Sequence, residues 1–109
     1  MTDEAAMEMH AKKRVEIVVE APLLNRMLAL LDEANVSGYT VLPAIAGRGH
    51  HGPWNREGLA TDAGRMVVVV LIVGPDVVPG LMDKIFPLIA RQIAIVTVSD
   101  VEVVRGDRF

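Results

Sequence analysis

The chain has 109 residues, of which 51 % are hydrophobic and 23 % charged, a composition typical of one globular domain rather than of a disordered chain. The formal net charge of −3 gives no overall attraction for nucleic acid or anionic lipid, and the absence of cysteine excludes disulfides, thiolate metal sites and thiol nucleophiles. The longest apolar run is too short to span a bilayer and no targeting signal is visible, so we expect a cytoplasmic protein without direct membrane insertion.

The spacing of apolar residues predicts an alternation of strands and helices. Alternating or continuous β-branched residues indicate strands, whereas leucines and methionines three and four positions apart indicate helices. In chain order, the predicted elements are a flexible tail over 1–11, a strand over 13–20, a helix over about 22–35, a strand over 39–46, a long mobile loop over 47–64, a strand over 65–73, a helix over 78–89 and a strand over 95–104.

Prolines and polar residues refine these boundaries. Pro22 suits the first turn of a helix, because its fixed φ and missing N–H cost nothing there. Pro43 cannot donate to a sheet ladder and indicates an edge strand or a bulge. Pro87 predicts a kink or an early end of the second helix near residue 86, and Asp100 is a candidate interruption of the last strand.

The element order strand, helix, strand, strand, helix, strand predicts an α+β class, a ferredoxin-like βαββαβ single domain over 12–109 with a long loop between its second and third strands. The continuous valines of 65–73 indicate that both faces of that strand are covered. Two helices cover only one face of such a sheet. We therefore expect the other face to form an interface between copies of the chain.

Beyond the element order, the chain resembles P-II-type signalling proteins over about residues 13–105. The residues that carry the resemblance are Ser37-Gly38-Tyr39-Thr40-Val41, Gly47-Arg48-Gly49, the strand Met66–Val73 and Gly74-Pro75-Asp76. The resemblance implies a homotrimer, a regulatory protein rather than an enzyme, and a T-loop over about 47–64 that contacts an unidentified target protein. It also implies an adenine nucleotide bound in each cleft between subunits.

Two departures from the classical family indicate a diverged branch. The T-loop has no tyrosine, so uridylylation is not expected. The second helix leads through Ala90-Arg91-Gln92-Ile93 almost directly into the last strand, where the classical family has a longer phosphate-binding B-loop. The short connection and the histidine-bearing loop resemble the carboxysome-associated, bicarbonate-responsive branch most, with the bicarbonate-transporter-associated branch as its neighbour. The resemblance therefore implies ADP or AMP as ligand, with ATP as an alternative, and a link to inorganic carbon.

Glycines, a threonine, a histidine and arginines are the nucleotide-binding residues that the resemblance implies. They are Gly38, Thr40, Gly47, Arg48, Gly49, His50, Arg91, Arg105 and Arg108. Glycine permits close approach of backbone N–H groups to a phosphate, and arginine offers a planar fork for its oxygens. Two alternatives stay open, since Thr40 can serve simply as a β-former and Arg91 as a solvated cation at a helix end.

The loop between strands two and three carries the remaining candidates. A bicarbonate site is expected at Arg48, Gly49, His50 and His51, and partner contact at Trp54 and Arg56. Adjacent side chains diverge on an extended chain, so the two histidines are poorly placed to share one metal ion, and no metal site is expected.

Three other functions share the topology. An ion-tolerance-type trimer that binds metal is the main alternative, but cysteine is absent. An RNA-recognition domain would display aromatic residues where this chain has the aliphatic strand Met66–Val73. An acylphosphatase-like enzyme would need an anion-loop constellation that is not evident, and no elbow, P-loop or dinucleotide motif is present.

Overall fold

The computed structural model describes residues 8–49, 52–55 and 65–104. Its strands are β1 (His10–Glu20), β2 (Thr40–Pro43), β3 (Ala46–Gly49), β4 (Gly52–Asn55), β5 (Met66–Val73) and β6 (Ala94–Val103). Its α-helices are α1 (Leu24–Glu33) and α2 (Val78–Ile89). A 3₁₀ turn with a proline in its first two positions leads into each helix, at Ala21–Leu23 and Pro75–Val77.

Four strands form the main sheet, in the order β2-β5-β1-β6, and every neighbouring pair is antiparallel. α1 connects β1 to β2 across β5, and α2 connects β5 to β6 across β1. This arrangement confirms the predicted ferredoxin-like fold. The edge position of β2 also confirms the interpretation of Pro43.

The core lies between the two helices and one face of the sheet, which we call the covered face. Burial alternates strictly along β5, as expected for a strand with one buried side. The buried core residues are Val15, Ile17, Val19, Leu23, Met27, Leu31, Val67, Val69, Leu71, Val73, Leu81 and Ile85. All of these side chains are apolar, so burial of aliphatic surface stabilises the fold.

The opposite face of the sheet, which we call the uncovered face, has no helix on it in the described part of the chain. Strand register places the side chains of Leu42, Val68, Val18 and Ile95 in one line across all four strands, and we call this line the apolar row. Leu42 is 49 % exposed and Ile95 64 % exposed. In the single chain only one face of β5 is buried. The predicted cover on its other face stays a prediction, since it depends on neighbouring copies.

The predicted boundaries need corrections at β1, α2 and β6. His10 and Ala11, predicted to lie in the tail, belong to β1 because they pair with β6. α2 does not end near residue 86 but continues past Pro87 to Ile89; Pro87 is exposed, so water can satisfy the carbonyl that its missing N–H leaves unpaired. Asp100 does not interrupt β6, since it faces Lys13 of β1 and forms an ion pair with it.

Candidate functional site

The start of β2 is positioned by the way α1 ends. Asn35 has a φ of 58°, in the left-handed region that asparagine tolerates better than most residues, and this conformation turns the chain out of the helix. Gly38 follows in the connection, and Thr40 begins β2 opposite Val70. Thr40 is exposed and lies on the uncovered face, so its hydroxyl is available to a ligand there.

β3 and β4 form a two-stranded ribbon outside the main sheet. Gly47 pairs with Trp54, and Gly49 pairs with Gly52, whose φ of 99° is natural only for glycine. The prediction of a long loop without strands is therefore wrong over 47–49 and 52–55. The composition of glycine and proline concealed this pairing, because neither residue favours strands in general.

Arg48 is the charged residue of β3, and all four residues of that strand are exposed. Gly47 and Gly49 flank it without side chains, so an approaching anion meets the Arg48 guanidinium and the neighbouring backbone without steric hindrance. The three residues of the predicted Gly47-Arg48-Gly49 phosphate contact are thus adjacent on one accessible strand.

Arg91 lies at the other edge of the sheet. It stands in the four-residue connection between α2 and β6, and it is exposed. β2 and β6 are the two outer strands, three strand spacings or about 14 Å apart. The apolar row joins these edges, so a ligand that touched both would lie along it.

The remaining predicted site residues fall largely outside the described ranges. His50, His51, Arg56, Arg105 and Arg108 are not in the part of the chain that the structure describes. The backbone of Trp54 lies in β4 opposite Gly47, which places that residue on the ribbon.

Sequence reasoning did not single out the pair formed by Tyr39 and Asp32. The Tyr39 hydroxyl donates a hydrogen bond to Asp32 Oδ1 at 3.3 Å, linking the residue before β2 to the last turn of α1. Desolvation of the exposed ring's hydroxyl, the negative charge of Asp32 and this hydrogen bond all raise the pKa of Tyr39 above its usual value. An aromatic residue between Gly38 and Thr40 was the available signal.

A depression of about 420 Å³ lies at the opposite end of the sheet from the apolar row. Pro75 forms one wall of it, and the neighbouring ends of β1 and β6 form the others. None of the predicted site residues lines it.

Within the described ranges, no group of three histidine, aspartate or glutamate side chains is placed to hold a metal ion, and no helix is long and apolar enough to cross a membrane.

Comparison with known proteins gives one family and a consistent set of solved structures. The model of the family described as nitrogen regulatory protein P-II matches residues 12–108. No curated protein matches the chain. A structure of CPII, a PII-like protein from Thiomonas intermedia K12 bound to ADP, AMP and bicarbonate, has a TM-score of 0.85 at 25 % identity and covers 94 % of this chain and 97 % of its own.

Two further structures agree with this result. CPII from the same organism bound to ADP and bicarbonate has a TM-score of 0.82 at 27 % identity, covering 94 % of this chain and 98 % of its own. A PII-like signalling protein from Thermus thermophilus has a TM-score of 0.77 at 26 % identity, covering 94 % of this chain and 99 % of its own.

Proposed function

The chain belongs to the P-II family of nitrogen regulatory proteins, and on that premise we propose that it senses an adenine nucleotide in clefts between the subunits of a homotrimer. The observation that carries this proposal is the similarity over nearly the whole chain to a PII-like protein bound to ADP, AMP and bicarbonate. Family members are signalling regulators rather than enzymes, and we assign this chain the same role.

The uncovered face supports assembly. In the single chain, the apolar row leaves Leu42 and Ile95 about half exposed or more, and Val68 and Val18 lie between them. A contiguous apolar surface of this kind is typical of an interface. Three copies that pack these faces together bury the middle of the row, and each junction creates a cleft that leaves an end of the row open to a ligand.

Strand geometry supports a cleft that two subunits share. Ile95 in the apolar row and Val103 at the end of β6 are separated by about 26 Å along the strand. Arg105 follows two residues later, and two residues span about 7 Å at most. We therefore infer that an Arg105 that touches the same phosphate as Arg48 comes from a neighbouring subunit.

Within the cleft, the chain offers a different contact for each part of a nucleotide. The apolar row provides aliphatic surface for the adenine ring, and Thr40 provides a hydroxyl for the ribose or a phosphate. Gly47, Arg48 and Gly49 hold phosphates on one side, and Arg105 and Arg108 do so from the neighbour. Arg91 replaces the lysine of the missing B-loop, and a site with so short a B-loop favours ADP or AMP over ATP.

The same ribbon links the ligand to a partner protein. We assign bicarbonate to Arg48, Gly49, His50 and His51, beside the nucleotide phosphates. A ligand that binds the ordered and the disordered state of the segment 47–64 unequally shifts the balance between these two states. In its ordered state, the segment presents Trp54 and Arg56 to a target protein. The bicarbonate response connects the protein to inorganic-carbon metabolism in the cytoplasm, in association with carboxysomes.

Calorimetric titration with ADP, AMP and ATP, each with and without bicarbonate, tests this function. We expect ADP or AMP to bind more tightly than ATP, and bicarbonate to change the affinity. Arg48→Gln should weaken ADP binding, whereas Arg26→Gln, which removes an exposed arginine from α1, should leave it unchanged. Absence of binding by all three nucleotides at millimolar concentration would refute the proposal.

A further inference from the structure

Charge is distributed unequally between the two faces of the sheet at the end remote from the apolar row. β1 has no bulge in its pairing with β6, so alternate residues stay on one face throughout. His10, Lys12 and Arg14 consequently lie in line on the uncovered face. The acidic residues at the end of β6, Asp100 and Glu102, face the other side with Lys13.

Lys12 has no acidic partner within the described ranges. The two ion pairs near it are Lys13–Asp100, on the covered face, and Arg14–Glu16, in which Arg14 Nη2 and Glu16 Oε1 are 3.3 Å apart. On β6, the strand neighbour of Lys12 is Val101. On the other side Lys12 has no strand neighbour, because it lies beyond the last residue of β5. The lysine is half-buried and forms no ion pair with a described residue, although the backbone ends that carry Asp100 and Glu102 border the same depression.

Assembly into a trimer makes the positive charge on the uncovered face energetically unfavourable. Packing of the uncovered faces brings one Lys12 and one Arg14 from each copy into the same interface. Cations removed from water without counter-charge are strongly destabilising. Glu16 can neutralise one charge per chain, since Glu20, the other acid on the described part of this face, lies eight residues from Lys12. One positive charge per subunit remains.

We propose that this end of the uncovered face holds a multiply charged oxyanion of the phosphate class, bound by Lys12 and Arg14. This inference rests on the trimer of the proposed function. Lys12 and Arg14 are about 7 Å apart along β1, a separation that one tetrahedral oxyanion can bridge with two side chains reaching toward it. Charge-assisted hydrogen bonds from lysine and arginine are the strong contacts that such an anion prefers.

Within one chain, the site is distinct from Thr40 and the Gly47–Gly49 segment. It lies beyond the line formed by Thr40, Val70, Glu16 and Thr97, on the far side from the apolar row. Its occupant would stabilise the assembly rather than carry the nucleotide signal, because it neutralises charge at the interface itself.

Thermal unfolding of the full chain in inorganic phosphate, against chloride at the same ionic strength, tests the proposal. Saturating ADP is present throughout, so that phosphate cannot act through the nucleotide cleft. We expect phosphate to raise the unfolding temperature of the wild type, as a ligand of the folded state must. Lys12→Gln should weaken the phosphate response about tenfold or more, whereas Lys12→Arg and the surface variant Lys84→Gln should retain it.

Mass determination in solution and ADP titration on the same samples separate the outcomes. A trimer that binds ADP but shows no phosphate response, or whose response survives Lys12→Gln, overturns this inference alone. A monomer that binds no nucleotide overturns the proposed function and this inference together. If Lys12→Gln does not fold, a lost phosphate response in Arg14→Gln, with ADP affinity kept, supports the site, and an unchanged response refutes it.

Discussion

Lys13 of β1 lies directly opposite Asp100 of β6, and its ammonium group forms an ion pair with the Asp100 carboxylate on the covered face. The Asp100 side chain is 83 % exposed and the Lys13 side chain 33 %. Because water screens so exposed a carboxylate, the pair contributes little to stability. The main consequence of the ion pair is for the local strand pairing. Aspartate by itself disfavours a strand, but aspartate opposite a lysine on the neighbouring strand is compatible with continuous pairing.

A double-mutant cycle with Lys13→Gln and Asp100→Asn should therefore give a small coupling. We expect about 0.2–1 kcal/mol in the free energy of unfolding, measured by urea denaturation at one fixed protein concentration. Raising the salt concentration should reduce the coupling further. A coupling of several kcal/mol would contradict this account of an exposed pair.

Val18→Asp should abolish the trimer while leaving the chain folded. Val18 stands in the apolar row of the uncovered face, so a carboxylate there meets the faces of the neighbouring copies but disturbs no core contact. Mass determination by light scattering should show a monomer, and circular dichroism should show unchanged secondary structure. Val77→Asp is the matched control, because Val77 is exposed at 38 % outside the sheet. A trimeric Val18→Asp would place the interface elsewhere.

The alternation of β1 made the fold predictable, because valine and isoleucine at every second position pack well only when the helices lie on that side of the sheet. β5 is apolar at every position, so its alternating burial could not be predicted from its sequence. The ribbon of β3 and β4 could not be predicted in this way. Its pairing joins glycines, a proline and an arginine, and the residues of β3 are all exposed, so no periodicity marks it. β6 was predicted over 95–104, and it continues without interruption through Asp100 because pairing with β1 outweighs the low strand propensity of that residue.

Tyr39 should titrate above the usual tyrosine value near pH 10. Desolvation comes first among the causes, followed by the Asp32 charge and the hydrogen bond from the Tyr39 hydroxyl, and all three raise the pKa by favouring the neutral phenol. Tyr39 is the only tyrosine of the chain, so absorbance near 295 nm reports its ionisation directly. Asp32→Asn should lower the pKa towards, but not fully to, the usual value.

The same shift has a defined effect on stability. Because the pKa of Tyr39 is raised in the folded state, the folded chain keeps the tyrosine proton at a pH at which the unfolded chain has already lost it. The contribution of Tyr39 to the free energy of unfolding is fully present below about pH 10, the pKa of tyrosine in the unfolded chain. It is lost as the pH rises through the pKa of Tyr39 in the folded state. Tyr39→Phe should remove this alkaline dependence. An identical pH profile of unfolding for wild type and Tyr39→Phe would show that the Asp32 contact does not form in solution.

The site itself was predictable only in part, because residues of one ligand pocket need not be near each other in one chain. Thr40 and Gly47–Gly49 follow one another along β2 and β3, so a motif can reveal them. Arg91 stands at the opposite edge of the sheet, and the end of β6 lies about 26 Å along the strand from the apolar row. Spacing in the sequence gives no measure of such distances between subunits.

Mixed trimers can test whether Arg48 and Arg105 serve one cleft from different subunits. Arg48→Ala and Arg105→Ala should each weaken ADP binding, because each removes a charge-assisted contact to phosphate. Co-refolding the two variants in equal amounts produces trimers in which some clefts combine the intact Arg48 of one subunit with the intact Arg105 of its neighbour. Random assembly makes about a quarter of the clefts complete.

Calorimetry on the mixture should therefore show a minority class of sites with wild-type affinity, although neither parent has any. If both arginines came from one subunit, every cleft would lack one of them and no tight sites would appear. Mixing either variant with itself under the same refolding conditions controls for recovery of activity by refolding alone. The restored fraction decides between a shared cleft and a site within one chain, because only the shared cleft can be rebuilt from two defective subunits.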